Sequence, residues 1–284
     1  MIVGKRVMTQ DAGVNWVQSN KTDDYWNTLC ITLTGRVIAG GTSIGIWYSD
    51  DNGVNWTRSN KTNASWRALC VTPTGRIIAG SDGLCIWYSD DNGVNWTQSN
   101  KSSDTQYALC VISTGRIIAG GNGIWYSDDN GLNWTQSNMT SGTWKALCVT
   151  LTGRIIAGGG AGVWYSDDNG ETWVPSNLLN KDIYTLCVTP TERIIAGIEY
   201  RGVQYSDNNG VNWIQSNKTN DSLSDLCITS TGRIIASNAS GGIWYSDAII
   251  SQVTEYTSKP LTGKQAKALV QQCKAYVQAL KNGN

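Results

Sequence analysis

The chain contains no histidine and no phenylalanine, only 4 prolines in 284 residues, and 15% charged residues where about a quarter is usual. Without histidine, the commonest general base and metal ligand is missing, which excludes Ser-His-Asp and Cys-His catalysis and most zinc sites. No run of eighteen apolar residues occurs, so no membrane-spanning helix is encoded. The opening Met1-Ile2-Val3-Gly4-Lys5-Arg6 lacks the apolar stretch of a secretory signal, and no classical export is expected. Basic and acidic residues balance at 22 each, which leaves no nucleic-acid footprint over the whole chain. Glycine, at 31, and tryptophan, at 14, are abundant instead, and 40% apolar residues suffice for a folded core.

So skewed a composition points to a copied segment, and the copies are plain. A block Leu-Cys-(Val/Ile), a Thr-Gly-Arg-like turn and (Ile/Val)-Ile-Ala place cysteines at Cys30, Cys70, Cys110, Cys148, Cys187 and Cys227, 38 to 40 residues apart. Each unit holds four short runs, for example Leu69 to Thr72, Arg76 to Gly80, Ile86 to Ser89 and Asn95 to Ser99, β-branched and aromatic, separated by Gly, Asn and Asp turns. Four antiparallel strands per repeat of this length define an all-β fold, a β-propeller of four-stranded blades. The N-terminus supplies second, third and outer strands (Ile2-Val3, Lys5 to Thr9, Asn15 to Ser19), and the last unit ends at Asp247. With residues 248–261 providing the two missing strands, the count predicts seven blades closed by the two termini; six is the alternative. The propeller then spans 1–261. Beyond it Ala266, Leu269, Val270, Cys273, Val277 and Leu280 fall at helical spacing behind Thr262, which predicts one amphipathic helix over 262–284. Its charges are all lysines, so it docks on the acidic propeller or serves as a surface for a protein partner or membrane face.

The segment Ser49-Asp50-Asp51-Asn52-Gly53-Val54-Asn55-Trp56 resembles the Asp-box, or BNR repeat, Ser-x-Asp-x-Gly-x-Thr-Trp. It recurs around Asp91, Asp129 and Asp168, with weaker copies at Thr9 to Trp16 and Ser206 to Trp213, and breaks down at Ala248. The physics of a tight reversal explains it: Asp accepts turn N–H groups, Gly takes a positive φ, and Trp covers the hairpin. The copies lack the distal glutamate of a calcium loop, so no metal and no cofactor are expected. The resemblance implies a propeller shared by sialidases and other glycoside hydrolases, sortilin-type receptors and photosystem-type assembly factors. A sialidase-like site needs an arginine triad, a tyrosine nucleophile helped by glutamate, and an acidic aspartate. Arg36, Arg76, Arg116, Arg154, Arg193 and Arg233 all follow the inner-to-second-strand turn, on the face opposite the usual mouth, and suit structure better than catalysis. Glutamates are also scarce. The chain is therefore not expected to be an enzyme.

The repeated cysteines lie about a sheet spacing apart, too far for disulfides, which predicts free buried thiols and synthesis in a reducing compartment; Cys85 and Cys273 pair or stay free. The Asn-x-Ser/Thr sequons arise from the repeat. While framework turns are copied nearly verbatim, the outer-to-inner and second-to-third loops diverge, and both emerge on one face. There Trp26, Trp66, Tyr107, Trp144 and Tyr184, with Asp24, Asn63, Asp104 and Asp182, offer rings and polar groups for sugar recognition, or else pack between blades. The expected function is a binding propeller for a glycan or other cell-surface ligand, lectin- or adhesin-like, on a phage or secreted particle; the alternative is a protein-interaction scaffold.

Overall fold

Strands form where β-branched residues alternate between turn residues. The computed structural model describes residues 18–21, 25–61, 64–83, 85–102, 104–229, 233–238 and 242–246. The first repeat forms Trp26–Ile31, Val37–Gly41, Gly45–Ser49 and Thr57–Arg58, paired antiparallel in that order. Four more repeats do the same from inner strands Trp66–Val71, Gln106–Val111, Trp144–Val149 and Ile183–Val188. The sixth sheet has three described strands, Leu223–Ile228, Ile234–Asn238 and Ile243–Tyr245. Successive inner strands lie side by side, as expected of propeller blades.

The described residues thus form six blades, not the seven expected. Each blade is built on a repeat with its own cysteine-bearing inner strand; the seventh was to be assembled from strands within residues 2–19 and 248–261, which lie outside the described residues except for 18 and 19, and these two are not in a strand. Residues 262–284, where the helix was expected, also lie outside, and no helix occurs among the described residues.

The Asp-box is a staple between blades as well as a hairpin. In the second blade Ser89 donates its hydroxyl to Asp91 and accepts the N–H of Gly93, while Asp91 accepts the N–H and side-chain amide of Asn95. Asn92 and Gly93 both have positive φ, 62° and 89°, as in the tight turns that suit twisted hairpins. Trp96 then turns inward between blades, 5% exposed, against Ile38 of the first blade. Its backbone N–H reaches Asn60 Oδ1, just past the outer strand of that blade, 3.1 Å away. The same bond links Trp134 to Asn100, Trp173 to Asn138 and Trp213 to Asn177.

These bonds hold the carboxyls of Asp51, Asp91, Asp129 and Asp168 below the usual range: at Asp91 burial pushes upward, and the bonds from Asn95 and Ser89 outweigh it. A carboxyl depressed in the folded state stabilises above its unfolded pKa of about 3.9 and loses that contribution as pH falls through its folded value. Urea midpoints are therefore expected to fall below about pH 4. The Asp91→Asn/Asp129→Asn variant should show a shallower acid slope; an unchanged slope would contradict this. The fifth blade carries the natural counterpart, Asn208, whose Oδ1 keeps the bonds from Ser206 and Asn212.

On this same face five of the six repeat arginines grip the residue before the box aspartate. Arg36, Arg76, Arg116, Arg154 and Arg193 make bidentate pairs with Asp50, Asp90, Asp128, Asp167 and Asp207 and lie over Tyr48, Tyr88, Tyr126, Tyr165 and Tyr205. The first four extend Nη1 to a backbone carbonyl of the next blade's box, at Asn92, Asn130, Asn169 and Asn209. Their forks are occupied by the framework, as bidentate guanidinium geometry favours.

Among the described residues every cysteine is unpaired, Cys85 included, and Cys273 lies outside them; of the repeat cysteines expected to be buried, Cys30, Cys70, Cys110, Cys148 and Cys187 are half-buried and Cys227 is exposed. Burial pushes the thiols of Cys30, Cys110 and Cys187 up to about 12 and raises those of Cys70 and Cys148 as well. At pH 8 alkylation of these five in the native chain is expected to run at least about 10²-fold slower than in urea, because only thiolate reacts. Equal rates, mapped by mass spectrometry, would contradict that burial.

Candidate functional site

Each inner strand starts with a β-bulge. In the first blade Trp26 opposes Gly41 and Thr28 opposes Gly40, which leaves Asn27 unpaired; the register slips at the same place in the other five. A bulge re-aims a side chain. The six bulged residues are Asn27, Arg67, Tyr107, Lys145, Tyr184 and Ser224, all different except the two tyrosines, in a framework otherwise copied closely.

The residue before each bulge goes the other way, into the space between blades. Trp66, Gln106, Trp144 and Ile183 are fully buried and Leu223 nearly so, while Trp26 is half-buried. Glycine in the preceding blade makes the room: a Cβ on Gly40 would stand 2.7 Å from Trp66 Cβ. The five candidate aromatics therefore occupy two positions. Trp66 and Trp144 present no ring face for a ligand to stack on, whereas Tyr107 and Tyr184 are bulge residues. Gln106 fills the slot that tryptophan fills in three other blades, and neither its Oε1 nor its Nε2 has a partner among the described residues. Gln106→Leu is expected to raise stability by about 1–2 kcal/mol, since a buried amide without partners costs that much; a lower urea midpoint would show that the amide is in fact satisfied.

The bulge residues and the loops beside them form a polar belt. Arg67 pairs with Asp82 at 2.7 Å, and Asp82 accepts the Thr105 hydroxyl from the approach to the next blade. That arginine holds the Asp82 carboxyl below its usual range. Asn27 donates to Thr42 Oγ1 and to the carbonyl of Trp66. Lys145 Nζ sits 2.6 Å from Asp182 Oδ2 and 4.0 Å from the centre of the Tyr184 ring, and the Tyr184 hydroxyl donates to Glu199 Oε1 at 3.0 Å. Burial lowers the Lys145 ammonium, but the Asp182 carboxylate raises it more, so it stays charged. Burial and the Glu199 acceptor raise the Tyr184 phenol. A phenol so held is a neutral donor, the reverse of an activated nucleophile. Asp104, at φ 89°, pairs with buried Lys101. Asp24 and Asn63 lie outside the described residues.

Between the fifth and sixth blades this face opens into a cleft of about 700 Å³ lined by Tyr184, Glu199, Tyr200, Asn220, Asp221 and Ser222. Here the fifth blade departs from its siblings, with Glu199-Tyr200-Arg201 in place of a small-residue loop and Gln204 in place of the third-strand tryptophan. Sequence reading missed Asn27, Arg67, Lys145, Ser224, Glu199 and Tyr200. The signal was available: every bulged residue lies three before its repeat cysteine. Among the described residues no three His, Cys, Asp or Glu side chains converge as a metal site, and no helix is long and apolar enough to cross a membrane.

The model of the BNR/Asp-box repeat family matches residues 47–58 and 164–175. With the repeat, the hairpin staple and the blade order, this makes the chain a β-propeller that carries BNR/Asp-box repeats, with no particular member singled out. A search of curated proteins found no match. Solved structures share the fold. "YCF48 bound to D1 peptide" aligns at TM-score 0.64 and 15% identity, over 82% of this chain and 80% of that one. An ancestral GH74 enzyme aligns at 0.63 and 15%, over 81% of this chain and 41% of the other. The computationally designed Ika8 protein aligns at 0.60 and 12%, over 78% and 70%.

Proposed function

We propose that this propeller is a non-catalytic protein-binding scaffold that holds an extended peptide segment of a partner across the bulge face. The supporting observation is the belt itself: one structural position, six times over, carrying Asn, Arg, Tyr, Lys, Tyr and Ser on a nearly invariant frame. Alternating cations, carboxylates and phenols match the varied side chains of a peptide better than the repeated hydroxyls of a glycan. The glycan alternative leaned on tryptophan platforms, and two of its three are buried. A chain of the same fold, at 15% identity, is solved with a peptide bound. The arginines, engaged on the opposite face, and the neutral Tyr184 phenol support the non-catalytic part. To test this, the full chain is screened in parallel against a displayed random dodecapeptide library and a glycan array. Peptides that compete with one another are expected; saturable glycan binding without peptide enrichment would overturn the reading.

A further inference from the structure

Resting on the peptide-binding reading, we infer that the cleft between the fifth and sixth blades is a socket for a lysine or arginine side chain of the partner. The charges around it do not balance. Asp182 has Lys145, and Asp221 has Lys218, each as an ion pair. Glu199 has no cation within ion-pair distance among the described residues; its partner is the Tyr184 hydroxyl on Oε1. Arg201, exposed and two residues along, forms no ion pair with it among the described residues. One carboxylate thus faces the cleft with no ion-pair partner among the described residues, beside two phenol rings.

Of the two rings Tyr184 already carries Lys145, and Tyr200 is the one left to a partner's cation. Tyr200 is 74% exposed and held at φ 52°, a left-handed conformation costly for a bulky residue. Its N–H donates to Ser222 Oγ at 3.0 Å, which ties the strained loop to the approach of the sixth blade. The chain already shows what such a corner accepts: Lys145 lies between the Tyr184 face and the Asp182 carboxylate. Lys61 over Trp87 at 3.1 Å and Lys101 over Trp125 at 4.0 Å repeat the arrangement of cation on ring elsewhere. The Glu199–Tyr200 corner offers ring and carboxylate with the cation left to the partner. At about 700 Å³ the cleft admits a side chain with its flanking backbone.

The experiment selects dodecapeptides on the wild-type full chain, then titrates them by fluorescence anisotropy against Glu199→Gln and Tyr200→Ala, with Leu151→Ala, exposed in an inner-to-second-strand turn on the opposite face, as the control and melting curves for each variant. Lysine or arginine should be enriched in the selected pool. Each cleft variant should weaken binding about tenfold, the size of a desolvated ion or cation–ring contact. Replacing the basic residue with norleucine should produce the same loss and abolish the further effect of Glu199→Gln, because the two changes remove one contact. Peptides selected with no basic enrichment, or additive losses in that cycle, would overturn the socket and leave the peptide reading standing. Failure to select any peptide would take down the reading and the socket together.

Discussion

Trp134→Ala is expected to destabilise the propeller by about 3–5 kcal/mol, the range for removing a buried large aromatic, and to lower its melting temperature by roughly 10 °C. The side chain, 6% exposed, fills the space between the second and third blades against Ile78, Ile86, Ile117 and Ala119. Its ring N–H donates to the Gly131 carbonyl, 3.1 Å away. Truncation would empty that space in a core built as a stack of such interfaces. Trp134→Phe should cost much less, since most of the volume remains. A melting temperature unchanged by alanine would mean that the Asp-box tryptophan caps a hairpin without joining blades.

The second large effect is expected at Gly131. At φ 85° an alanine pays about 1–2 kcal/mol for its conformation alone. Its Cβ would also stand 2.6 Å from Ile78 Cδ1 of the preceding blade, which adds about 1–3 kcal/mol of overpacking. Gly115 separates the two causes: it has φ 89° but nothing within 4 Å, so Gly115→Ala should show the conformational cost only. Adding Ile78→Val to Gly131→Ala removes the offending methyl and should recover part of the loss in a double-mutant cycle. Equal costs at Gly131 and Gly115 would contradict close contact between box and neighbouring blade.

Much of this architecture was legible because it is local. The apolar run Ile77-Ile78-Ala79, the Thr-Gly-Arg turn and the Asp-Asn-Gly reversal each fix a strand or a hairpin from a few adjacent residues, and repetition made the inference firm. The face opposite the mouth was legible too, since Arg76 follows a turn whose position in the blade is known. Blade number was harder, because it depended on strands assigned to both ends of the chain. The site was read half right for a specific reason. Tyr107 was matched to Trp66 by ring type, whereas the frame sets Gln106 opposite Gly121 in the place where Trp66 opposes Ser81. A one-residue slip in a strand sends a side chain to the other face, and the bulge that decides the slip exists only in the pairing with the next strand. The Lys145, Asp182, Tyr184 and Glu199 chain joins residues from two blades and a loop, a proximity that no spacing in the sequence displays.

The central claim is that the bulge positions, not the tryptophans, carry recognition. It is tested most directly by titrating the selected peptides against a full-length variant with Arg67, Tyr107, Lys145 and Tyr184 all changed to alanine. These side chains are half-buried at the mouth, and Arg67 and Lys145 hold ion pairs there, so the melting temperature should fall while the chain still folds cooperatively, which a melting curve checks. Binding should fall by two orders of magnitude or more, about 3 kcal/mol. A variant that folds and binds every peptide as the wild type does would contradict the account.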